Sequence, residues 1–276
     1  MTKLKYRFQH DVLFKMLFVK YQDLLKMLVA VLLRIPLESI EEFIVRNPEI
    51  PPENLEDKFC RLDINMTVNG QQIDLEVQVD DEGDFPERSL YYWAREYSSA
   101  LKKGMPYSQL PKTIVIGIVD FKMFDCEEFH SQIGALEVNR HTLFSDKFGM
   151  HFFELPKIPK KVSKDDKLHL WLSLFNARTE EELKQIEELE VPEMEQAIQA
   201  YKHITVTPEF MEAERLYQKA RQNEASALYN AVRKEKKETA RNLLADGDSV
   251  ERVMKITGLN REEVEKIQHE LKTKGA

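Results

Sequence analysis

The 276-residue chain is poor in cysteine and lacks long apolar runs. Its two cysteines, Cys60 and Cys126, lie far apart and form no C-x-x-C pair, so the sequence indicates neither a disulfide framework nor a zinc cluster. The longest apolar run, Met27–Leu33, is too short to span a bilayer, and the charged N-terminus lacks the apolar segment of a signal peptide. We therefore expect a cytoplasmic protein in a reducing compartment, without a membrane role.

Two motifs and an excess of positive charge are also missing. The seven histidines show no H-E-x-x-H spacing, and the sequence contains no G-x-x-x-x-G-K-[ST] loop, which excludes zinc proteases and P-loop nucleotidases. The net charge of −8 argues against holding nucleic acid by bulk electrostatics, although a local basic surface stays open. With 42% hydrophobic residues, the chain is long enough for a full core and an appendage.

The most informative stretch is Arg61–Val79. Polar and apolar residues alternate over positions 61–68 and again over positions 72–79, which is the two-residue period of half-buried strands. Between the two runs lies Asn69-Gly70, a pair that favours the two-residue type I′ turn. The stretch therefore predicts a β-hairpin in which the positions of facing residues sum to 139.

This register gives the hairpin one apolar and one polar face. The apolar pairs are Met66 with Ile73, Ile64 with Leu75 and Leu62 with Val77, and the polar pairs are Asn65 with Asp74, Asp63 with Glu76 and Arg61 with Gln78. Facing like charges destabilise a sheet because their Cβ atoms lie only about 5 Å apart. A divalent cation such as Mg²⁺ between Asp63 and Glu76 would remove the repulsion, since hard cations prefer carboxylate oxygens. A solvated polar face relieved by Arg61 and water is the alternative.

These residues give the chain a specific resemblance. An Asp on one strand, a Glu on the next and a polar residue two positions on, here Asp63, Glu76 and Gln78, resemble the PD-(D/E)xK nuclease signature. The neighbouring motifs are similar to those of the recombination-promoting nuclease/transposase family. They are Asp11-x-x-Phe14-Lys15, Arg-Leu-Asp at 61–63 and Leu-Glu-Val-Gln at 75–78. The resemblance covers most of the chain, with its sharpest motifs in the first 110 or so residues.

The resemblance implies a DNA endonuclease that depends on Mg²⁺ or Mn²⁺. In it Asp63 and Glu76 are the metal ligands, and Gln78 orients the attacking water. Gln78 stands where the superfamily more often has Lys, and an amide can orient water but cannot act as a base. Asp11 is a candidate additional acid because some nucleases of the superfamily carry one on the first helix. The alternative for Asp11 is a helix-capping or first-turn acid.

Substrate contacts are predicted on the helix that follows the hairpin. Arg88 starts this helix and is well placed to meet a phosphate, and the resemblance supports a role for Arg88 and Tyr92 in substrate binding. The alternative is that Tyr92 belongs to the core and that Arg88 pairs with a carboxylate. The acidic run at 80–84 is either a source of further metal ligands or a solvated loop.

The order of elements predicts an α/β fold with a mixed sheet, similar to the restriction-endonuclease core. The predicted elements are a helical region at 10–33 interrupted near 19–22, a strand at 40–46, the hairpin, a helix from Pro86 to about Lys103 ended by Gly104, a central strand Thr113–Val119, and strands near 130–138 and 151–155. From about residue 164 the pattern is helical throughout. We therefore expect a nuclease-like core at 1–160, a helical region at 161–245 and a helix pair at 246–276.

The C-terminal helix pair, Asp248–Leu271, has helix-turn-helix spacing with Gly258 in the turn. It is either a DNA reader or a packing or oligomerisation element. The basic segment Arg233–Arg241 either contacts a phosphate backbone or forms a solvated helix face. Two other functions therefore compete with the nuclease, namely a catalytically silent DNA-binding or recombination accessory protein and a helical interaction module. The sequence does not fix the oligomeric state, and a homodimer is one option.

Overall fold

The computed structural model describes residues 2–46 and 64–274, which form one sheet and a set of helices. The strands are β1 Phe43–Val45, β2 Ile64–Val68, β3 Gln71–Gln78, β4 Thr113–Val119, β5 His130–Leu136 and β6 Leu143–Glu154. The α-helices are α1 Asp11–Lys20, α2 Gln22–Leu32, α3 Phe85–Ser99, α4 Lys167–Asn176, α5 Glu180–Glu187, α6 Pro192–Ile204, α7 Pro208–Ala245, α8 Val250–Thr257 and α9 Arg261–Lys274.

The six strands form a mixed sheet in the order β1-β2-β3-β4-β6-β5. β4 pairs in parallel with both β3 and β6, whereas the outer pairs are antiparallel. All seven residues of β4 are buried, as expected for an apolar strand that is covered on both faces. This confirms the predicted α/β core, with Thr113–Val119 as a central strand, and the helical C-terminal region.

The hairpin has the predicted turn and register. Asn69 and Gly70 have φ angles of 47° and 75°, the positive values that a type I′ turn requires. Val68 faces Gln71, Met66 faces Ile73 and Ile64 faces Leu75, so every pair sums to 139. The predicted partners at positions 61–63 lie outside the described residues.

The turn is also tied to the segment before β1. The side chain of Asn69 accepts hydrogen bonds from the backbone N–H groups of Glu41 at 2.9 Å and Glu42 at 3.0 Å, and it donates to the carbonyl of Ser39 at 2.6 Å. Asn69 therefore adopts the left-handed backbone conformation of the turn, and its side chain also holds the segment before β1 through hydrogen bonds.

The structure differs from the prediction at the start of β6, which begins at Leu143 and not near 151, and at the end of α3. The helical region at 10–33 breaks at Tyr21, as expected, but α3 ends at Ser99 and not at Lys103. The hydroxyls of Ser98 and Ser99 donate to the carbonyls of Arg95 and Glu96, which satisfies groups that a continuing helix would bond. Gly104 has a φ of 83° but lies beyond this end, so the prediction that it ends the helix was wrong.

The chain divides into two compact units, Met1–Glu214 and Arg215–Ala276. In the first unit α1 contacts α2 and α6, and α2 also contacts α4, so these helices share a core with fully buried Phe14, Phe18 and Trp171. The predicted boundaries at 160 and 245 stay a prediction. Within 2–46 and 64–274, no helix has the length and apolar character needed to cross a membrane.

The second unit has its own small core. Ser249 caps α8 by accepting a hydrogen bond from the N–H of Arg252, and Gly258 ends it in the left-handed conformation, with a φ of 69°. The end of α7 packs with α8 and α9 through five buried side chains: Ala240, Val253, Leu259, Val264 and Ile267. The helix pair therefore needs the end of α7 to complete its core.

Candidate functional site

Polar side chains line one face of β3. Asp74 and Glu76 are only 2% and 8% exposed, and Gln78 follows on the same face because side chains alternate along a strand. In the parallel register Asp74, Glu76 and Gln78 lie beside Val115, Gly117 and Val119 of β4. Val115 and Val119 pack against Phe85 of α3, so this polar row lies on the face of the sheet that α3 covers.

Next to Glu76, the row of polar side chains is bordered by two aromatic rings that pack over Gly117 of β4. A Cβ atom at this position would lie 2.9 Å from Cδ1 of Phe152, closer than real Cβ atoms approach, and 3.1 Å from Cε1 of Phe85, which is a tight contact. The absence of a side chain therefore lets the two rings pack against the strand beside the carboxylate. In such a low-dielectric border, the interaction of Glu76 with a cation is stronger than in water.

Gln78 is held in one orientation by two hydrogen bonds. Its Oε1 accepts from Nη2 of Arg88 at 3.0 Å, and its Nε2 donates to the carbonyl of Asp80 at 3.0 Å. Arg88 also pairs with Glu82 and lies 3.6 Å from Asp84, both in the acidic run that precedes α3. The structure thus joins the predicted Gln78 and Arg88, with Glu76 two residues before Gln78 on the same strand face. The guanidinium of Arg88 is also paired with acids of the 80–84 run.

The other predicted site residues have different settings. Tyr92 lies one turn after Arg88 on α3, is 6% exposed and packs edge-on against the ring of Tyr91 with centroids 5.9 Å apart. Asp11 is the first residue of α1 and is partly buried. Asp63, the predicted partner of Glu76, lies outside the described residues.

The donor set suits a hard divalent cation. Asp74 and Glu76 project from one face of a strand, about 7 Å apart along the chain. Carboxylate oxygens are the protein ligands that Mg²⁺ and Mn²⁺ prefer, and these ions complete their shells with water and phosphate oxygens. In the parts of the chain that the structure describes, no group of three or more potential ligands is assembled. Asp74 was not singled out from the sequence, although the D-x-E-x-Q alternation marks it.

A third carboxylate on this face is structural. Glu154 lies beside Val119 and is fully buried. Its Oε1 accepts from the N–H groups of Met123 at 2.6 Å and Phe124 at 3.3 Å, and its Oε2 from Nζ of Lys157 at 2.7 Å. With both oxygens bonded, Glu154 holds the loop after β4 in place. The sequence gives no signal for it, since its partners come from three different positions.

A histidine pair lies on the opposite face of the sheet. Nε2 of His130 lies 3.1 Å from Nδ1 of His151, and Nη2 of Arg34 lies 3.4 Å from Nδ1 of His130. Burial lowers the pKa of His151 to about 4, and His130, Lys112 and Arg34 add to the effect. His151 pairs with Ile116, and Glu76 with the adjacent Gly117, so the histidines point away from the carboxylate row.

Comparison with known proteins found two matching family models. Residues 8–231 match the family model described as PD-(D/E)XK nuclease family transposase. Residues 233–269 match the model of the Rpn/YhgA-like nuclease family, C-terminal HTH domain. No curated protein and no solved structure matches the chain significantly. Because the first match covers well over half of its residues, the chain belongs to the PD-(D/E)XK nuclease family of transposases.

Proposed function

We propose that the chain is a divalent-metal-dependent endonuclease that hydrolyses phosphodiester bonds in DNA. The observation that carries the proposal is the row on β3, where the buried carboxylate of Glu76 precedes an amide that Arg88 holds in one orientation. Membership in a nuclease family supports hydrolysis, and the helix-turn-helix match supports DNA as the substrate.

Glu76, with Asp63 as its proposed partner, would hold Mg²⁺ or Mn²⁺ through carboxylate oxygens. When bound, the cation would supply a Lewis acid for the scissile phosphate and lower the pKa of a water. Asp74 lies on the same face of β3 and provides a further carboxylate. The additional acid proposed at Asp11 remains part of this hypothesis.

Gln78 would position the attacking water. Its Oε1 already accepts from Arg88, but a carbonyl oxygen has two lone pairs, so it can accept a second hydrogen bond from water. A water that donates one hydrogen to Gln78 keeps a lone pair free for attack. Gln78 cannot take the proton, because an amide is not a base at neutral pH, and the proton must leave to solvent or to a phosphate oxygen.

Arg88 is proposed as a positioning residue first and a phosphate contact second. Its side chain is 21% exposed, and its guanidinium bonds Gln78 and Glu82, so a phosphate would have to displace acids of the 80–84 run. Tyr92 would support the same helix face. A role in recombination or transposition, work in the cytoplasm and assembly as a homodimer also belong to the hypothesis.

Cleavage of supercoiled plasmid tests the proposal. We expect wild-type protein to nick or linearise plasmid with Mg²⁺ or Mn²⁺ and not with EDTA, and Glu76→Gln to lose this activity. Glu195→Gln, at an exposed position on α6, is the matched control and should cleave like wild type. Equal cleavage by wild type and Glu76→Gln, or cleavage that persists in EDTA, would overturn the assignment.

A further inference from the structure

A basic stripe runs along α7 in the second unit. The side chains of Asn230, Arg233, Lys234, Lys237 and Arg241 recur at three- and four-residue intervals, so they share one face over about 16 Å of helix. Together with Glu238 they line an open groove of about 400 Å³. We call this the α7 groove, and it carries four cationic side chains against one carboxylate.

Two ion pairs with α9 hold the ends of the stripe. Nη2 of Arg233 lies 2.5 Å from Glu263, and Nη2 of Arg241 lies 3.2 Å from Glu270. Between these anchors, Lys234 and Lys237 have no carboxylate within ion-pair distance among residues 64–274. The arginines therefore fix the groove to α9, and the two lysines keep their charge available.

The local field of the groove is positive. The pKa of Glu263 is lowered by its hydrogen bond with Arg233, then by the N–H of Asn260, and Lys237 contributes as well. Two arginines of the helix pair are already paired with carboxylates. Arg261 pairs with Glu251 at 2.7 Å and with Glu265 at 3.3 Å, and Arg252 lies 3.3 Å from Asp248.

We propose that the α7 groove binds the phosphate backbone of duplex DNA. Along each strand one phosphate recurs per 3.4 Å of helix axis, and the groove offers cations at intervals of about 5 Å, so two or three phosphates can be neutralised together. Lysines act as point charges without base preference, and the Asn230 amide adds a neutral donor. This contact is independent of sequence. The inference rests on the proposed function in taking DNA as the substrate.

The salt dependence of DNA binding tests the groove. Full-length protein would be titrated against a labelled 30-base-pair duplex in EDTA, which prevents cleavage, at several KCl concentrations between 50 and 200 mM. Each phosphate contact contributes about 0.9 to the slope of log K against log[salt]. We expect Lys234→Gln with Lys237→Gln to weaken binding and to reduce the slope by roughly two.

The matched control is Lys160→Gln with Lys161→Gln, which removes the same charge from an exposed loop of the first unit. We expect its slope to stay near that of wild type. If the control loses as much slope as the groove variant, or if wild type does not bind the duplex, the groove assignment is wrong. Melting curves of all three proteins exclude unfolding as the cause of a loss.

Failure of the groove and failure of the endonuclease assignment can be told apart. If plasmid stays intact with Mg²⁺ while the groove variant still loses slope, the groove stands and the hydrolytic function falls. If plasmid is cleaved and both double variants bind with the wild-type slope, the nuclease stands and the groove falls.

Discussion

Arg88 on α3 donates a hydrogen bond of 3.0 Å to Oε1 of Gln78 on β3. The bond joins the helix to the strand and leaves the amide nitrogen to donate to Asp80. An arginine that the sequence marked as a substrate contact is thus already bound to the residue proposed to hold the nucleophile. This link leads to the first two predictions.

We expect Arg88→Ala and Gln78→Ala each to lower the rate of plasmid cleavage about tenfold, the equivalent of one lost hydrogen bond of about 1.4 kcal/mol. The double variant should be little worse than either single variant, because both remove the same oriented amide. Single-turnover rates at saturating metal measure this coupling. Arg95→Ala, an exposed arginine on the same helix, is the control. Fully additive losses would show that Arg88 acts separately from Gln78.

Replacing Gln78 with Lys, the commoner residue of the superfamily at this position, should not by itself give an efficient nuclease site. A Lys at 78 would place its ammonium next to the guanidinium of Arg88, and like charges at this distance repel. We therefore expect Gln78→Lys to cleave more slowly than Gln78→Lys combined with Arg88→Gln. Cleavage rates of the two variants test this prediction. An equal or higher rate for Gln78→Lys alone would contradict it.

Metal binding should stabilise the wild-type protein. A ligand at 100 times its Kd raises the free energy of unfolding by about 2.7 kcal/mol, provided that it binds only the folded state. We expect Mn²⁺ to raise the Tm of wild type and to have little effect on Glu76→Ala or Asp63→Ala. The readout is independent of catalysis. If Asp63→Ala gains as much Tm as wild type, the two acids do not share a cation.

The turn residue Asn69 should contribute to stability in two separable ways. Asn69→Gly keeps the positive φ but loses the side-chain bonds to Ser39, Glu41 and Glu42, whereas Asn69→Ala also forces an alanine into the left-handed region. We expect Asn69→Ala to lower the free energy of unfolding by about 1–2 kcal/mol more than Asn69→Gly. Urea denaturation measures both, and equal losses would mean that the backbone angle carries no cost here.

The histidine pair predicts a pH dependence. The pKa of His151 is about 4 in the folded protein and about 6.5 when unfolded, so between these values the unfolded chain binds more protons. The contribution of neutral His151 to the free energy of unfolding is therefore fully present above pH 6.5. It is lost as the pH falls to 4, which lowers the free energy of unfolding by about 1–3 kcal/mol. We expect His151→Gln to flatten this part of the profile and exposed His203→Gln to leave it unchanged. Parallel profiles for His151→Gln and wild type would contradict this.

Local patterns predicted the fold well. Asn69-Gly70 and the alternation beside it determine the hairpin register, because a two-residue turn leaves only one way to bury the apolar face. The uninterrupted apolar run of β4 likewise marks a strand with neighbours on both sides. Both signals lie within a few residues of one another, so they can be read without knowing the tertiary structure.

The site was less predictable because its contacts join distant segments. Gln78 and Arg88 meet only when α3 packs on the sheet, and Gly117 matters only because Phe85 and Phe152 converge on it. The sequence marks Glu76 and Gln78 through the alternation of polar and apolar residues. It does not show that Arg88 donates a hydrogen bond to Gln78 and pairs with acids of the 80–84 run. Long-range packing, not local propensity, sets these relationships.

The distance along the sequence between paired residues also determines when the site forms during folding. Paired residues of the hairpin are at most 11 positions apart, whereas each pair between β3 and β4 is 41 positions apart. Closing the longer loop costs about 1 kcal/mol more entropy, so the hairpin is expected to form first and β4 to dock later. A chain still emerging from the ribosome would then carry the acidic row of β3 before Gly117 and its aromatic border reach it. The border is complete only after β6, which carries Phe152, has been synthesised.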